Sequence, residues 1–398
     1  MALPDVILEE IFLRLPPDEP ESLVRASLAS KLWLGRLTSA AFHGRYREFH
    51  GDPPMLGFLF SSSWGNDRVP KLASTTTKFC GRIPPDDGWA GLKYDTRECR
   101  HGRVLLVGKK QVTVWNPMTG RRSVVDTPGK SWSTTAAAVL CGVAGCDHSV
   151  CHDRPFRVVL VDVDRGVARA CVSSPDTGEW SKPCRGLELG DALLESPSVL
   201  VRGGLYYKFT YFPGNDVYIL KYDLASDCLS AFEAPAGAGI ADQCMLMAMQ
   251  DCSLGFASLS HDSILHYWSR QMLGSDGGGS AASSSSWTQR GSIHLKSFLP
   301  VQIHTKLLML MGSAEGSDIV FVVTGPGFTT DHDGIYQINL NSLHWKKIWK
   351  GEGFVNLLPY MSFYHPRGIS TSLFFFKIWE QLLSKNISVV RGTNKYTN

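Results

Sequence analysis

The spacing of apolar residues changes once along this chain, at Gly51. Before that point apolar residues recur at helical intervals, in a segment from Asp5 to Leu15 that stops at Pro16-Pro17, a second segment after Pro20 and a third from Leu34. Three short helices bury one apolar stripe each, which leaves a surplus of Leu, Ile and Trp. We therefore expect a small three-helix module with apolar side chains that face another protein.

Several short motifs mark this helical module. They are the opening Leu3-Pro4, the run LEEIFLRLP, the stretch Ser22 to Leu28, and the single residues Lys31, Trp33 and Phe42. With these motifs the module resembles an F-box, the helical domain with which a substrate receptor docks onto the Skp adaptor of a cullin-type ubiquitin ligase. Ser30 and Leu34 depart from the usual family residues, but neither adds a charge to an apolar contact. An ordinary helical bundle at the start of a larger domain is the alternative.

The resemblance implies adaptor binding by residues 1–50. The residues that it assigns to this contact are Leu3, Pro4, Leu8, Ile11, Leu15, Leu23, Val24, Leu28, Lys31 and Trp33.

Beyond Gly51, short apolar runs alternate with turns rich in Gly, Pro, Asn and Asp. A rough unit of strands recurs, and its copies are His101 to Val125, Phe156 to Trp180, Val199 to Phe232, Leu254 to Gln271 and Asp318 to Trp349. Equivalent turn residues in these copies are Asn116, Ser174, Asp223, Ser269 and Asn339. Repeats of about 50 residues, each made of a few antiparallel strands, predict an all-β kelch-like propeller of five to seven blades. A two-layer β-sandwich is the alternative.

A second resemblance covers the strand-rich part. Its motifs, in chain order, are PPMLGFLF, RHGRVLL, VWNPMTGRR, AAVLCGVAGCDHSVCH, PFRVVLV, GEWS, GLYY, ILKYDL, LGFASL, WSRQ and LPYMSFYHP. Residues 54–366 are similar to the F-box-associated domain of cereal-plant F-box proteins. The predicted organisation is thus an α+β multidomain chain with an F-box (1–50), a propeller-like domain (54–366) and an atypical tail (367–398). A Ser/Gly insert at 274–286 is expected to be a flexible loop.

Charge and cysteine content narrow the class of protein. The 398 residues include 40 Lys and Arg against 37 Asp and Glu, which gives no sign of a nucleic-acid partner. We find no secretory signal and no apolar run of membrane-spanning length. The ten cysteines are therefore expected to be reduced thiols in the cytosol or the nucleus.

One segment has the composition of a metal site. Cys141, Cys146, His148, Cys151 and His152 lie within twelve residues. Zn²⁺ prefers such ligands, but the usual Cys-x₂-Cys pair is missing and glycines raise the entropy cost of closing the loop. We expect a structural, metal-free loop and no cofactor, with a zinc site as the alternative.

Catalytic patterns are not met. Gly129-Lys130-Ser131 resembles the end of a phosphate-binding loop, but Val124 stands where glycine is required. Asp331, His332 and Asp333 fit a turn better than a metal site. HExxH, GxSxG and GxGxxG patterns do not occur.

The sequence as a whole favours a non-catalytic substrate receptor. Its F-box would dock onto a Skp-type adaptor, and through it a cullin, while the propeller binds a target protein that the sequence does not identify. No nucleic acid or membrane is expected as a partner. The alternatives are an interaction scaffold without a ligase role and a propeller enzyme with a site in its central channel.

Overall fold

A computed structural model of the chain describes most of the two predicted regions. The described residues are 4–51, 53–61, 71–75, 95–108, 110–118, 120–129, 134–143, 146, 148, 155–174, 176–195, 197–211, 214, 216–239, 243–271, 286–300, 307–325, 334–349 and 355–363. Several positions singled out in the sequence lie outside them, namely Leu3, Cys151, His152, 274–285, 331–333 and the tail 367–398. The chain divides into one unit of Met1–Gly51 with Phe363–Asn398, which carries the helices described next and is called the helical unit, and a strand unit, Asp52–Ser362.

The helical unit has four helices where the sequence predicts three. They are α1 (Asp5–Leu13), α2 (Pro20–Ala29), α3 (Lys31–Leu37) and α4 (Ala40–His50). The division after α2 occurs at Ser30, whose backbone is extended and whose hydroxyl accepts a hydrogen bond from the amide of Leu32. Ser39 caps α4 in the same way through the amide of Phe42. Apolar spacing alone indicates longer helical segments, and the two capping serines divide these segments into α2, α3 and α4.

The core of the helical unit lies among its four helices. Its buried side chains include Leu8, Phe12, Leu13, Leu23, Val24, Leu37, Phe42 and Tyr46. Hydrogen bonds from α4 hold the chain that follows α1: the Tyr46 hydroxyl donates to the Leu15 carbonyl at 2.7 Å, and Nε2 of His50 lies 2.7 Å from the Leu13 carbonyl. These bonds satisfy carbonyl groups at a helix end, which would otherwise be left without a partner. None of the helices in the described part of the chain is long and apolar enough to cross a membrane.

The strand unit is built from antiparallel strands and one short helix, α5 (Leu295–Phe298). The strands are β1 (Met55–Ser61), β2 (Lys71–Ser74), β3 (Asp95–Arg100), β4 (Arg103–Val107), β5 (Gln111–Trp115), β6 (Arg122–Asp126), β7 (Thr134–Cys141), β8 (Phe156–Asp164), β9 (Val167–Val172), β10 (Leu187–Glu188), β11 (Ala192–Leu194), β12 (Val199–Val201), β13 (Gly204–Tyr211), β14 (Val217–Asp223), β15 (Cys228–Glu233), β16 (Cys244–Ala248), β17 (Leu254–Leu259), β18 (Ile264–Arg270), β19 (Thr288–His294), β20 (Leu307–Ser313), β21 (Ile319–Gly325), β22 (Gly334–Asn339), β23 (Trp345–Trp349) and β24 (Val355–Met361).

These strands form five sheets of four or five strands and one closing sheet of three. The larger sheets are β3–β6, β7–β10, β11–β15, β16–β19 and β20–β23. The closing sheet pairs β1 with β2 on one side and with β24, the last described strand, on the other. Strands from the two ends of the unit therefore share one sheet, which removes the open edges that two separate terminal sheets would expose.

Adjacent sheets pack face to face. Within the described residues, each apolar cluster of the strand unit combines side chains from two sheets that follow one another. One cluster unites Leu105 of β4 with Val139 of β7, and another unites Phe58 of β1 with Phe321 of β21. Because these contacts run from sheet to sheet and back to the first, the unit is a β-propeller and not a two-layer sandwich. The predicted fold class, N-terminal helices followed by an all-β propeller, is confirmed.

The turn residues chosen from the sequence occupy equivalent places. Asn116, Ser174, Asp223 and Asn339 each lie within two residues of the end of the third strand of a sheet, and each side-chain oxygen accepts a backbone N–H two residues further on. Ser269 is the penultimate residue of the third strand of its sheet, but its hydroxyl accepts from Nε of Arg290 at 2.6 Å. The repeat was visible in the sequence because short polar side chains stabilise these turns locally.

Candidate functional site

Large apolar side chains are exposed on all four helices of the helical unit. Phe49 of α4 is 53% exposed, and six more lie on the first three helices: Val6, Ile7 and Ile11 of α1, Leu28 of α2, and Leu32 and Leu34 of α3. We call the six residues on α1, α2 and α3 the apolar face. Single exposed apolar residues are ordinary, but seven on four short helices are typical of a surface that binds another protein.

Two contacts hold α1 against α3, the helices that carry most of the apolar face. Asp5 at the start of α1 forms an ion pair with Arg36 of α3. The rings of Phe12 and Trp33 meet edge to face with centroids 5.1 Å apart. The buried Phe12 thereby fixes the half-buried Trp33, and the apolar face stands on a packed base.

The propeller contains a buried polar network that joins distant segments. Arg100, at the end of β3, pairs with Glu98 at 2.7 Å and with Glu315 at 2.8 Å, and it donates to the Ser198 carbonyl at 3.1 Å. Burial raises the pKa of the Glu98 carboxyl to about 8, although Arg100 acts in the opposite direction. The network joins three sheets and has the character of a structural clamp.

A cluster of soft ligands lies on the connection between β7 and β8. The ligand atoms of Cys141, Cys146 and His148 all lie within 4.8 Å of one another. The ring of His148 stacks on that of His101, with centroids 4.0 Å apart and planes at 8°. Burial, together with the charges of His148 and of two arginines, lowers the pKa of His101 to about 3, so this imidazole is neutral at neutral pH. The structure thus brings together three of the five cluster residues chosen from the sequence, while Cys151 and His152 lie outside the described residues.

The family comparison concerns the helices. The model of the F-box domain matches residues 1–41. This chain carries an F-box domain at its N-terminus. The match ends within α4 and covers none of the propeller.

Several solved structures are similar to part of this chain, at low identity. TolB from Acinetobacter baumannii is 11% identical with a TM-score of 0.43, over 80% of this chain and 69% of that one. The β-propeller domain of the Trilobed protease from Pyrococcus furiosus is 9% identical with a TM-score of 0.37, over 65% and 71% of the two chains. A manganese complex of oligogalacturonate lyase is 11% identical with a TM-score of 0.35, over 63% of this chain and 62% of that one. At such values the likeness carries no conclusion about function. No curated protein matches the chain.

The structure separates the predicted adaptor-binding residues of the F-box into three groups. Pro4, Ile11, Leu28 and Lys31 are exposed, and Leu15 and Trp33 are half-buried. Leu8, Leu23 and Val24 are buried in the F-box core, with 2–7% of their surface exposed. In the free chain these three side chains fill the core, and their assignment to direct contact with the adaptor stays a prediction. Leu3 lies outside the described residues.

The sequence assignment missed the more exposed members of the apolar face. Val6 is 72% exposed and Leu32 is 59% exposed, yet neither was among the predicted contacts. The signal was present, because apolar residues on α1 occupy more than one side of the helix. The predicted contacts are residues that recur in the family pattern, and three of them, Leu8, Leu23 and Val24, lie in the core of the domain.

Proposed function

We propose that this chain is the substrate-recognition subunit of a Skp–cullin–F-box ubiquitin ligase. The F-box docks onto a Skp-type adaptor, which links it to a cullin, and the propeller binds the target protein. The observation that carries this proposal is the F-box match together with the apolar face. F-box domains generally bind Skp-type adaptors, and the apolar face gives this F-box an exposed surface for such a contact. The similarity of residues 54–366 to the F-box-associated domain of cereal-plant proteins supports the same assignment.

In this proposal the chain itself is not catalytic. Ubiquitin transfer belongs to other subunits, and the propeller supplies a rigid frame whose loops contact the target. The strongly perturbed carboxyl of the propeller, that of Glu98, is explained by its burial beside Arg100 and needs no catalytic role. The cysteines that the structure describes are free thiols, which suits the proposed location in the cytosol or the nucleus.

Co-purification of the full chain with a Skp-type adaptor tests the proposal. We expect the unchanged chain to co-elute with the adaptor, and Leu32→Asp to weaken binding at least tenfold, equivalent to about 1.4 kcal/mol, because a carboxylate would be desolvated in the contact. The matched control is Leu193→Asp in the propeller. It makes the same substitution at a leucine that is equally exposed, 61% against 59% for Leu32, but lies outside the F-box. The control should bind like the unchanged chain.

The same experiment separates the alternatives. A scaffold without a ligase role would not bind the adaptor at all. Equal binding by the Leu32 and Leu193 variants would show that the apolar face is not the docking surface. Once docking is established, proteins that accumulate when the chain is removed from its cell are the candidates for the target.

A further inference from the structure

A hairpin of the propeller gathers two thiols and an imidazole at one point. Cys141 is the last residue of β7, and Cys146 and His148 follow on the connection to β8. Their ligand atoms lie within 4.8 Å of one another, and nothing in the proposed function uses them. The other thiols in the described part of the chain include Cys171 and Cys184, which are buried among apolar side chains of the propeller core.

The backbone already brings the ends of this connection together. Cys141 pairs with Phe156 across β7 and β8, and the amide of Gly142 donates to the Pro155 carbonyl at 2.8 Å. Strand pairing therefore already brings the two ends of the loop together, so a metal would not have to supply this part of the entropy cost of closure.

The imidazole is also held in place. His148 has a left-handed backbone, with φ of 57°. Its ring lies flat on that of His101, which comes from the turn between β3 and β4 in the preceding sheet. A second sheet thus orients the histidine, in the way that residues around a metal commonly orient its ligands.

The distances suit a small tetrahedral ion. With Zn–S bonds of about 2.3 Å and Zn–N bonds of about 2.0–2.1 Å, tetrahedral angles place the donors roughly 3.5–3.8 Å apart. Donors no more than 4.8 Å apart reach that arrangement with side-chain movements of about an ångström. Two thiolates and one imidazole match Zn²⁺, whereas Mg²⁺ and Ca²⁺ require oxygen ligands.

We propose that Cys141, Cys146 and His148 bind one Zn²⁺ ion, which fastens the β7–β8 connection. The site is independent of adaptor docking. His101 is a positioning residue, and the three protein ligands leave one position of the tetrahedron for a water molecule or a further ligand. The two thiolates balance the charge of the ion.

Metal analysis of the full chain, purified without chelator, tests the proposal. We expect about one zinc per chain in the unchanged protein, and loss of that zinc in the double variant Cys141→Ser, Cys146→Ser. The matched control, Cys228→Ser with Cys252→Ser, removes two exposed cysteines and should retain the metal. Adding Zn²⁺ to chelated protein should raise the melting temperature of the unchanged chain and of the control, but not of the double variant.

Titration with Co²⁺ keeps the test decisive if the double variant folds poorly. Tetrahedral thiolate binding gives Co²⁺ characteristic visible bands, and His148→Gln, which changes an exposed side chain, should weaken or shift them. Absence of zinc together with absence of these bands would overturn the proposal. So would zinc that persists in the double variant, or a loss of two hydrogens, reversed by reductant, in a proteolytic peptide that contains Cys141 and Cys146, which would identify a disulfide between them.

Discussion

Arg100 and Glu315 form an ion pair across 215 residues of sequence, with Nε and Oε1 2.8 Å apart. Arg100 lies at the end of β3 and Glu315 just after β20, in sheets that are not consecutive in the chain. The guanidinium is 2% exposed, and Glu98 and Ser198 surround its remaining donors. Because arginine stays charged in proteins, this position needs an anionic partner in the folded state.

Removing that partner should destabilise the propeller. For Glu315→Ala we expect a loss of about 3 kcal/mol in the free energy of unfolding, at the low end for a broken buried pair because Glu315 is one-third exposed. Denaturant unfolding measures the loss. Asp164→Ala is the control, since its ion pair with Arg169 is exposed and should contribute less than about 1 kcal/mol. Equal losses in the two variants would contradict the structural role of the Arg100 network.

Glu98 should make the stability of the propeller depend on pH. Its folded pKa, about 8, lies above the ordinary carboxyl value of 4.5, so the fold favours the protonated form. The contribution of the protonated Glu98 carboxyl to the free energy of unfolding is then complete below about pH 4.5. It is lost as the pH rises through the folded pKa of about 8. We expect the melting temperature of the unchanged chain to fall between pH 5 and 8, and to fall less in Glu98→Gln, which keeps the shape without the titration. A Glu98→Gln variant with the same pH slope would show that the carboxyl does not titrate there.

Two tryptophans repeat one contact between neighbouring sheets. The indole of Trp180 donates to the carbonyl of Asp126, at the end of β6, and the indole of Trp287 donates to that of Glu233, at the end of β15. We expect Trp180→Phe and Trp287→Phe each to cost about 0.5–1 kcal/mol, and the double variant to show the sum, because the sites are distant. The control is Trp345→Phe, whose indole makes no hydrogen bond among the described residues and packs on Tyr336. A similar cost for Trp345→Phe would mean that lost ring area, and not the hydrogen bond, explains the effect.

Local features of this fold could be predicted from the sequence. The helical module, the repeated strand unit and the equivalence of Asn116, Ser174, Asp223 and Asn339 all depend on interactions between residues close in the chain. The division of the helices at Ser30 was missed, because it depends on one side-chain hydrogen bond that apolar spacing does not reveal.

Features that depend on long-range pairing could not be predicted. The pairing of β1 with β24 and the stacking of His101 on His148 join residues whose proximity only the closed propeller decides. The candidate metal site shows the consequence. Its residues were recognised from their types, but their convergence follows from the pairing of β7 with β8.

The Ser/Gly insert joins two strands that already pair. Ser269 of β18 lies opposite Thr288 of β19, and the intervening residues 274–286 contain no apolar residue larger than alanine. We therefore expect deletion of 274–285 to change the melting temperature by less than about 5 °C. The contrast variant deletes Trp287, which packs on Phe256 and donates to Glu233, and should destabilise the sheet. A large drop on deleting the insert alone would show that it contributes packing.

The F-box separates residues that build it from residues that dock it. Leu23 is 2% exposed and lies in the core, whereas Leu32 is 59% exposed on the apolar face. Leu23→Ala should cost about 2–5 kcal/mol within this unit, raise hydrogen exchange across residues 4–51 and weaken adaptor binding indirectly. Leu32→Ala should weaken binding with exchange unchanged in the free protein, since it removes little buried area. If Leu32→Ala raised exchange as much as Leu23→Ala, Leu32 would have to be reassigned from the docking surface to the core.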